Sequence, residues 1–299
     1  MQKLPLVSIV TPTYNQAEYL AETIESVLAQ DYPNFEYIVL DDGSTDDTSE
    51  ILKRYDGRIR HERHENMGQA NTLNRGWSMA SGSLIGYLSS DDLLEPNAFT
   101  KLVKALTARP DASVAYCDFT LIDAEGQRFR TVNTEEFDEV RLCVDLVCQP
   151  GPGALFRREV FDRMGGWAGY LRQVPDFEFW LRASKFGPFV RVPEVLAHYR
   201  IHDGSASFRP TTVERSMEIV GVMSEYWGLQ TGQKVNHSLA MANLVAAKSH
   251  AQSGRFAAGF AQWTQALRYS PKMLWSKLAW RIIASGLLRR SLHRLRQRS

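Results

Sequence analysis

The sequence predicts an α/β fold, a mostly parallel sheet covered by helices on both faces and followed by a wholly α-helical C-terminal region. Three observations carry this. Short β-branched runs alternate with stretches of helical periodicity through the first 90 residues. Polar, carboxylate-rich clusters close those runs, at the strand ends where parallel sheets bind ligands. Beyond about Ser216 only helical periodicity remains.

Residues 6–11 (LVSIVT) form a strand stopped by Pro12, and Leu20, Ile24, Val27 and Leu28 recur at helical spacing within 16–30. The cycle returns with a strand at 35–40 (FEYIVL), the loop 41–47 (DDGSTDD) and a helix from Thr48. It returns again with a strand at 58–62, a helix at 71–79, and a strand at 84–88 that ends in Ser89-Ser90-Asp91-Asp92. Further on come a helix at 97–108, strands at 113–119 and 154–157, a helix at 177–186, and a strand at 195–201 ending at His202. Residues 242–269 read as a helix pair joined at Ser253-Gly254, one unit of which is a helical cap rather than a repeat array. The expected domains are 1–215 and 216–299.

With 299 residues, 44% hydrophobic and 23% charged, the chain is globular and long enough to bury a core without staples. Cys117, Cys143 and Cys148 are odd in number and contain no C-x-x-C pair, which excludes a disulfide framework and a zinc site. Residues 1–15 lack the apolar core of a signal peptide, and no stretch reaches the length of a membrane span. A cytoplasmic location is expected. The net charge of +1 hides an asymmetry: residues 226–299 hold 12 Lys and Arg and no Asp or Glu, which leaves 23 basic and 34 acidic side chains before them.

No G-x-x-x-x-G-K-[ST] is present, and the first strand runs into T-P-T-Y-N rather than G-x-G-x-x-G. A P-loop enzyme and a dinucleotide oxidoreductase are therefore not expected, and the lack of G-x-S-x-G argues against a serine hydrolase of that type. What the strand ends offer is paired aspartate. Such pairs suit a hard divalent cation that bridges to phosphates.

In order, V-S-I-V-T-P-T-Y-N, I-V-L-D-D-G-S-T-D-D-T, N-x-G-(x5)-N-R-G, S-D-D, and W-L-R followed by Y-R-I-H closely resemble the family 2 glycosyltransferases. These are inverting enzymes with the glycosyltransferase A type fold, a Rossmann-like nucleotide-diphospho-sugar transferase sheet. The resemblance covers about two thirds of the chain, residues 7–207. It implies that Pro12 and Tyr14 hold the nucleobase, and that Asp41 and Asp42 contact the uridine through base N–H or ribose hydroxyls. Ser44 and Thr45 read as caps of the next helix. Gly68, Asn74 and Gly76 belong to the donor segment, where glycines admit close backbone approach.

Ser90-Asp91-Asp92 stands where the family has D-x-D, with Ser in place of the first Asp. The resemblance makes Asp92 the ligand of Mn²⁺ or Mg²⁺, Asp91 a donor-binding residue for the ribose or sugar, and His202 a second metal-side residue. In P-D-F-E-F-W-L-R, Asp176 matches the catalytic base, and Pro175 replaces the Glu that the family usually carries before it. Glu178 is the fallback. Gln149, in a Gly- and Pro-rich loop, falls on the acceptor side, and Trp180 is a sugar-stacking platform there or a core ring.

The implied reaction is transfer of a sugar from a nucleotide-diphosphate sugar, a UDP-sugar, to a hydroxyl of a glycan or lipid-linked acceptor in cell-envelope polysaccharide synthesis. Its rivals are a nucleotidyltransferase and a degenerate transferase that only binds. A basic amphipathic tail over 269–299 has Leu274, Leu278, Ile282 and Gly286 four apart, and ends in an arginine cluster. It reads either as packed on the catalytic domain or as lying on an anionic membrane, which would make the protein peripheral on the cytoplasmic face. Nucleic acid is not an expected partner, because the acidic body would repel it.

Overall fold

The computed structural model describes residues 4–205, 210–277 and 280. Its first part repeats strand and helix: β1 (Val7–Thr13), α1 (Ala17–Leu28), β2 (Phe35–Asp41), α2 (Thr48–Lys53), β3 (Arg60–Arg63), α3 (Gln69–Met79) and β4 (Leu84–Tyr87). β5 (Leu93–Leu94), α4 (Ala98–Ala108), β6 (Val114–Ile122), β7 (Arg128–Val132) and α5 (Glu139–Val144) follow. Next are β8 (Leu155–Arg157), α6 (Arg158–Met164), α7 (Pro175–Ala183) and β9 (Phe189–Arg200).

One sheet runs in the order β3-β2-β1-β4-β8-β6-β9-β5, with β7 on β6. β1, β2, β3 and β4 are mutually parallel where they pair. β8 is antiparallel to both of its neighbours, β5 is antiparallel to β9 and β7 to β6, while β6 and β9 are parallel. The sheet is therefore parallel where it carries the polar strand ends and mixed beyond β4. Periodicity reveals a strand but not its direction, which depends on the partner it meets. β9 also starts earlier than expected and crosses Pro193. Its register with β6 jumps there from Cys117↔Val192 to Asp118↔Val195, because proline has no N–H for the ladder.

Alternation along β1 sorts its side chains between the two faces. Ile9 joins one core with Leu20, Ile24 and Val27 of α1 and Phe99 and Leu102 of α4. Val10 meets α3, where a Cβ added to Gly76 would lie 2.3 Å from Val10 Cγ1. Helices thus cover both faces. Beside that contact the buried Trp77 donates its Nε1–H to Gly86 O at 3.1 Å, and its ring meets Phe156 and Phe179 at 5.2 and 5.3 Å. Gly76→Ala should lower the unfolding free energy by about 1–3 kcal/mol through overpacking against a stiff β-branched neighbour. A lower urea midpoint at unchanged slope is the expected reading. An unaltered midpoint would mean that α3 lifts freely from the sheet.

Two compact units result, one of Met1–Phe137, Gln149–Tyr170 and Pro175–His202, the other of Asp138–Cys148, Leu171–Val174 and Asp203–Ser299. This division differs from the expected boundary at 215/216. The helical unit draws in two mid-chain segments by hydrogen bonds that local pattern does not reveal. Ser238 Oγ–H donates to Cys143 O at 2.8 Å, and Glu218 accepts the backbone N–H of Arg172, Gln173 and Val174.

The helical unit contains α8 (Val213–Trp227), α9 (Gln233–Gln252) and α10 (Phe256–Tyr269). The expected helix pair is present, turning through Ser253 and a left-handed Gly254. α9 and α10 approach closely because Gly259 faces Ala247 O. The amphipathic tail expected from Tyr269 is not a direct continuation of α10. α10 stops there, and Pro271–Trp275 makes a 3-10 turn, since Pro271 cannot extend the preceding ladder. The rest of the expected amphipathic tail, 278–279 and 281–299, lies outside the described residues. Among the described residues no helix is long and apolar enough to cross a membrane.

Candidate active site

The carboxyl ends of β1 and β2 are locked together by Asn15, which adopts the left-handed conformation (φ 52) that Asn tolerates better than most residues. Its N–H donates to Ser44 Oγ at 2.9 Å, and its Oδ1 accepts Thr45 N–H at 2.7 Å. Ser44 and Thr45 are therefore loop locks rather than helix caps. Asp46 serves the helix starts instead, accepting the N–H of Thr48 and of Ala17. Pro12 is buried inside β1, whereas Tyr14 is 47% exposed at its end and keeps an aromatic face open.

Asp41 and Asp42 part company. Asp41 is fully buried: Oδ1 accepts Ser44 N–H at 2.8 Å, and Oδ2 lies 3.3 Å from Ser49 Oγ and 3.5 Å from Arg63 Nε. Closed off in this way, it staples its turn. Asp42 accepts the N–H of Met67 at 2.7 Å and of Gly68 at 2.9 Å, while Asn66 Nδ2–H donates to its backbone carbonyl. It thereby holds the loop that enters α3. Gly68 has φ 85 and precedes that helix, so a side chain there would be strained.

Asn74 is engaged within the protein. Its Nδ2–H donates to Trp167 O at 2.8 Å and its Oδ1 accepts Trp167 N–H at 2.7 Å, so the amide is spent on fixing the loop before α7.

The loop after β4 brings Asp91 and Asp92 to the end of β9. Asp92 is buried and its Oδ1 accepts Arg200 N–H at 2.9 Å. Burial, and secondly the charge of Asp91, push its pKa well above the usual aspartate value. His202 Nε2 lies 3.0 Å from Asp91 Oδ2, and its ring meets Tyr19 at 4.6 Å. The buried Arg200 ties the loop down: Nε–H donates to Asp91 O, Nη1–H to Ala124 O and Nη2–H to Glu22 Oε2 at 2.6 Å, with the guanidinium over Tyr19. Arg200 lies inside Y-R-I-H, but nothing local to that motif reveals what its five donors reach.

Among the described residues no group of three or more His, Cys, Asp or Glu side chains stands preassembled for a metal. The donor set still fits one. Carboxylate oxygens with one imidazole suit Mg²⁺ or Mn²⁺, and the buried Asp92 has the second carboxylate of Asp91 beside it. A diphosphate would complete the coordination shell, as is usual where Mg²⁺ binds through one or two carboxylates.

Asp176 occupies the first turn of α7, with Pro175 starting the helix, where its missing N–H costs nothing. It is half-buried, and desolvation raises its pKa against the lowering effect of backbone N–H groups. Glu178 is otherwise engaged. Both its oxygens pair with Arg182, whose other donors reach Met164 O and Gly166 O. Trp180 is core: it is 1% exposed, and its ring is met edge-on by Phe156, Phe179 and Phe189, so no face is left for a sugar. Gln149 is half-buried, and its Oε1 accepts Glu135 N–H at 2.9 Å.

A sheet of this order, with aspartates at the ends of its parallel strands, defines a glycosyltransferase of the A type fold. Residues 8–165 match the model of Glycosyl transferase family 2, and the chain belongs to that family. A glycosyltransferase of Rickettsia typhi is 31% identical over 210 residues, 68% of this chain, and the alignment spans 66% of that relative's length. S. aureus TarS 1–349 in complex with UDP-GlcNAc superposes with a TM-score of 0.66 at 18% identity, covering 97% of this chain and 91% of that one. A mannosyltransferase of Pyrobaculum calidifontis, in complex with GDP-Man and Mn²⁺, gives 0.63 at 18% identity, with 100% and 89% covered. At that identity the two structures speak for the fold.

Proposed function

We propose that the chain is an inverting transferase that moves a sugar from a nucleotide-diphosphate sugar, a UDP-sugar, to a hydroxyl of a glycan or lipid-linked acceptor. Its place is cell-envelope polysaccharide synthesis at the cytoplasmic face. One observation carries the reading: the catalytic unit holds two separate sets of carboxylates. Asp91 and Asp92, with His202 beside Asp91, offer oxygen and imidazole ligands to a cation, while Asp176 has a raised pKa and forms no ion pair among the described residues.

Tyr14 offers its face to the base, and Asp42 with Gly68 shapes the loop beneath it. Asp92, with Asp91 and His202, would hold the divalent ion, which stabilises the charge growing on the departing nucleoside diphosphate. Asp176 accepts the acceptor's proton as its oxygen attacks the anomeric carbon, and a raised pKa makes it a better base near neutrality. The C–O bond to the diphosphate breaks as the new one forms. A single displacement turns an α-linked donor into a β-linked product, with no covalent sugar–enzyme intermediate.

Donor class and stereochemistry are tested together. A thermal-shift screen of nucleotide sugars with and without Mn²⁺ should show a stabilising donor only when the metal is present. Proton NMR of slow hydrolysis of that donor should show the β-sugar appearing first. Release of the α-sugar, or indifference to every nucleotide sugar, overturns the reading.

A further inference from the structure

The helical unit exposes more aromatic surface than a solvated cap needs. Phe256, Phe260 and Trp263 recur at i, i+4 and i+7 on α10, and so share one face beside Ala247 and Ala251 of α9. Phe260 is 64% exposed. Past the 3-10 turn, Trp275 is 88% exposed and Trp280 52%, the latter's ring lying 6.3 Å from that of Trp263. Met273 is what this turn buries, in a core with Met241, Leu244 and Ala266. The tryptophans therefore face out while the turn itself is anchored.

Charge identifies the occupant. Arg268, Lys272 and Lys277 are exposed on the same stretch of chain, and from Tyr226 to the end the chain carries 12 basic and no acidic residues. A protein groove would offer its own carboxylates to such a surface and could be of any composition. A bilayer interface asks for this mixture, Trp and Phe at headgroup depth with Lys and Arg around them, each basic group near an anionic surface adding about 1 kcal/mol of attraction. Polynucleotides fit less well, since the preceding 225 residues carry 34 acidic side chains against 23 basic ones.

We infer that the aromatic face of α10 and the turn after it, with Arg268, Lys272 and Lys277, is a docking surface for an anionic lipid bilayer. This places the contact on the folded helical unit and not only on the arginine cluster beyond Arg281. It deepens the envelope role proposed above by naming the surface, but it does not depend on the transfer chemistry.

The test is sedimentation of the full chain with vesicles of phosphatidylcholine containing phosphatidylglycerol, beside vesicles of phosphatidylcholine alone. The chain should pellet with the anionic vesicles, be released by salt, and ignore the neutral ones. Phe260→Ser/Trp275→Ser removes two exposed rings and no member of the buried core, so the fold and binding of UDP with Mn²⁺ should be unchanged while vesicle partitioning falls at least tenfold. Undiminished partitioning of the double variant would assign attachment to the terminal arginines alone and overturn the inference. So would failure of the full chain to bind vesicles, including the case where the double variant abolishes self-association instead and a second copy is the occupant. Donor binding is read separately, so loss of the transferase reading leaves the vesicle result standing, and the reverse.

Discussion

Asp176→Asn leaves donor binding intact and lowers sugar transfer by about 10²–10⁴-fold. The amide keeps the size and hydrogen-bonding reach of the carboxylate but cannot take a proton. Burial raises the pKa of Asp176, so the wild-type rate falls with decreasing pH at values above the ordinary aspartate range. The sign follows from the role: a base works only when deprotonated, and a raised pKa means that the proton returns earlier on acidification. The variant should lose that acid limb along with its rate. Stability should not fall, because a carboxyl group whose folded pKa is raised stabilises the native state only while protonated, and its ionised form is a burden at neutral pH. The measurement is a pH profile of transfer in both proteins, with calorimetry of UDP binding as the control. If Glu178→Gln reproduced the loss and Asp176→Asn did not, the base would be Glu178, against the pairing with Arg182 that occupies both of its oxygens.

Asp92→Asn should pull function and stability in opposite directions. The amide oxygen can still accept the Arg200 N–H, so the loop keeps its shape, but the charge that a cation needs is gone. Partners that merely orient metal ligands are worth about 10–100-fold in affinity, so loss of a ligand charge should cost the metal-dependent part of donor binding at least about 100-fold. The metal-free protein, in contrast, should melt at a higher temperature. Burial and the neighbouring Asp91 raise the pKa of Asp92, so stability is lost as pH rises toward that value, and a neutral amide avoids the loss. Calorimetry with UDP and Mn²⁺ reads the first effect and thermal denaturation without metal the second. Unchanged affinity would take Asp92 out of the metal's shell, and a lower melting temperature would show that its charge is compensated in the native protein.

The strands and helices around the first polar loops were legible because hydrophobic periodicity and strand-ending polar clusters are local properties. β1, β2, β4, α1 and α3 fall where alternation and helical spacing put them. The family was legible too, since five motifs in order survive as a string of letters. So was the helix pair of α9 and α10, from its apolar repeat and its Gly254 turn.

Tertiary structure alone decided which polar side chains are spent and which are left open. Asp41 and Asp42 are adjacent and alike in sequence, yet one is sealed in its own turn and the other grips the loop before α3. Asn74 finds its partner 93 residues away and Asp92 finds its own 108 residues away, distances over which no local pattern carries information. The same holds for Arg200, whose guanidinium joins α1, the loop after β4 and the turn after β6. A motif fixes the kind of side chain at a strand end. Whether its oxygens meet a backbone N–H, an arginine or a ligand depends on chain brought back by the sheet, because a buried polar group takes whatever partner the fold supplies.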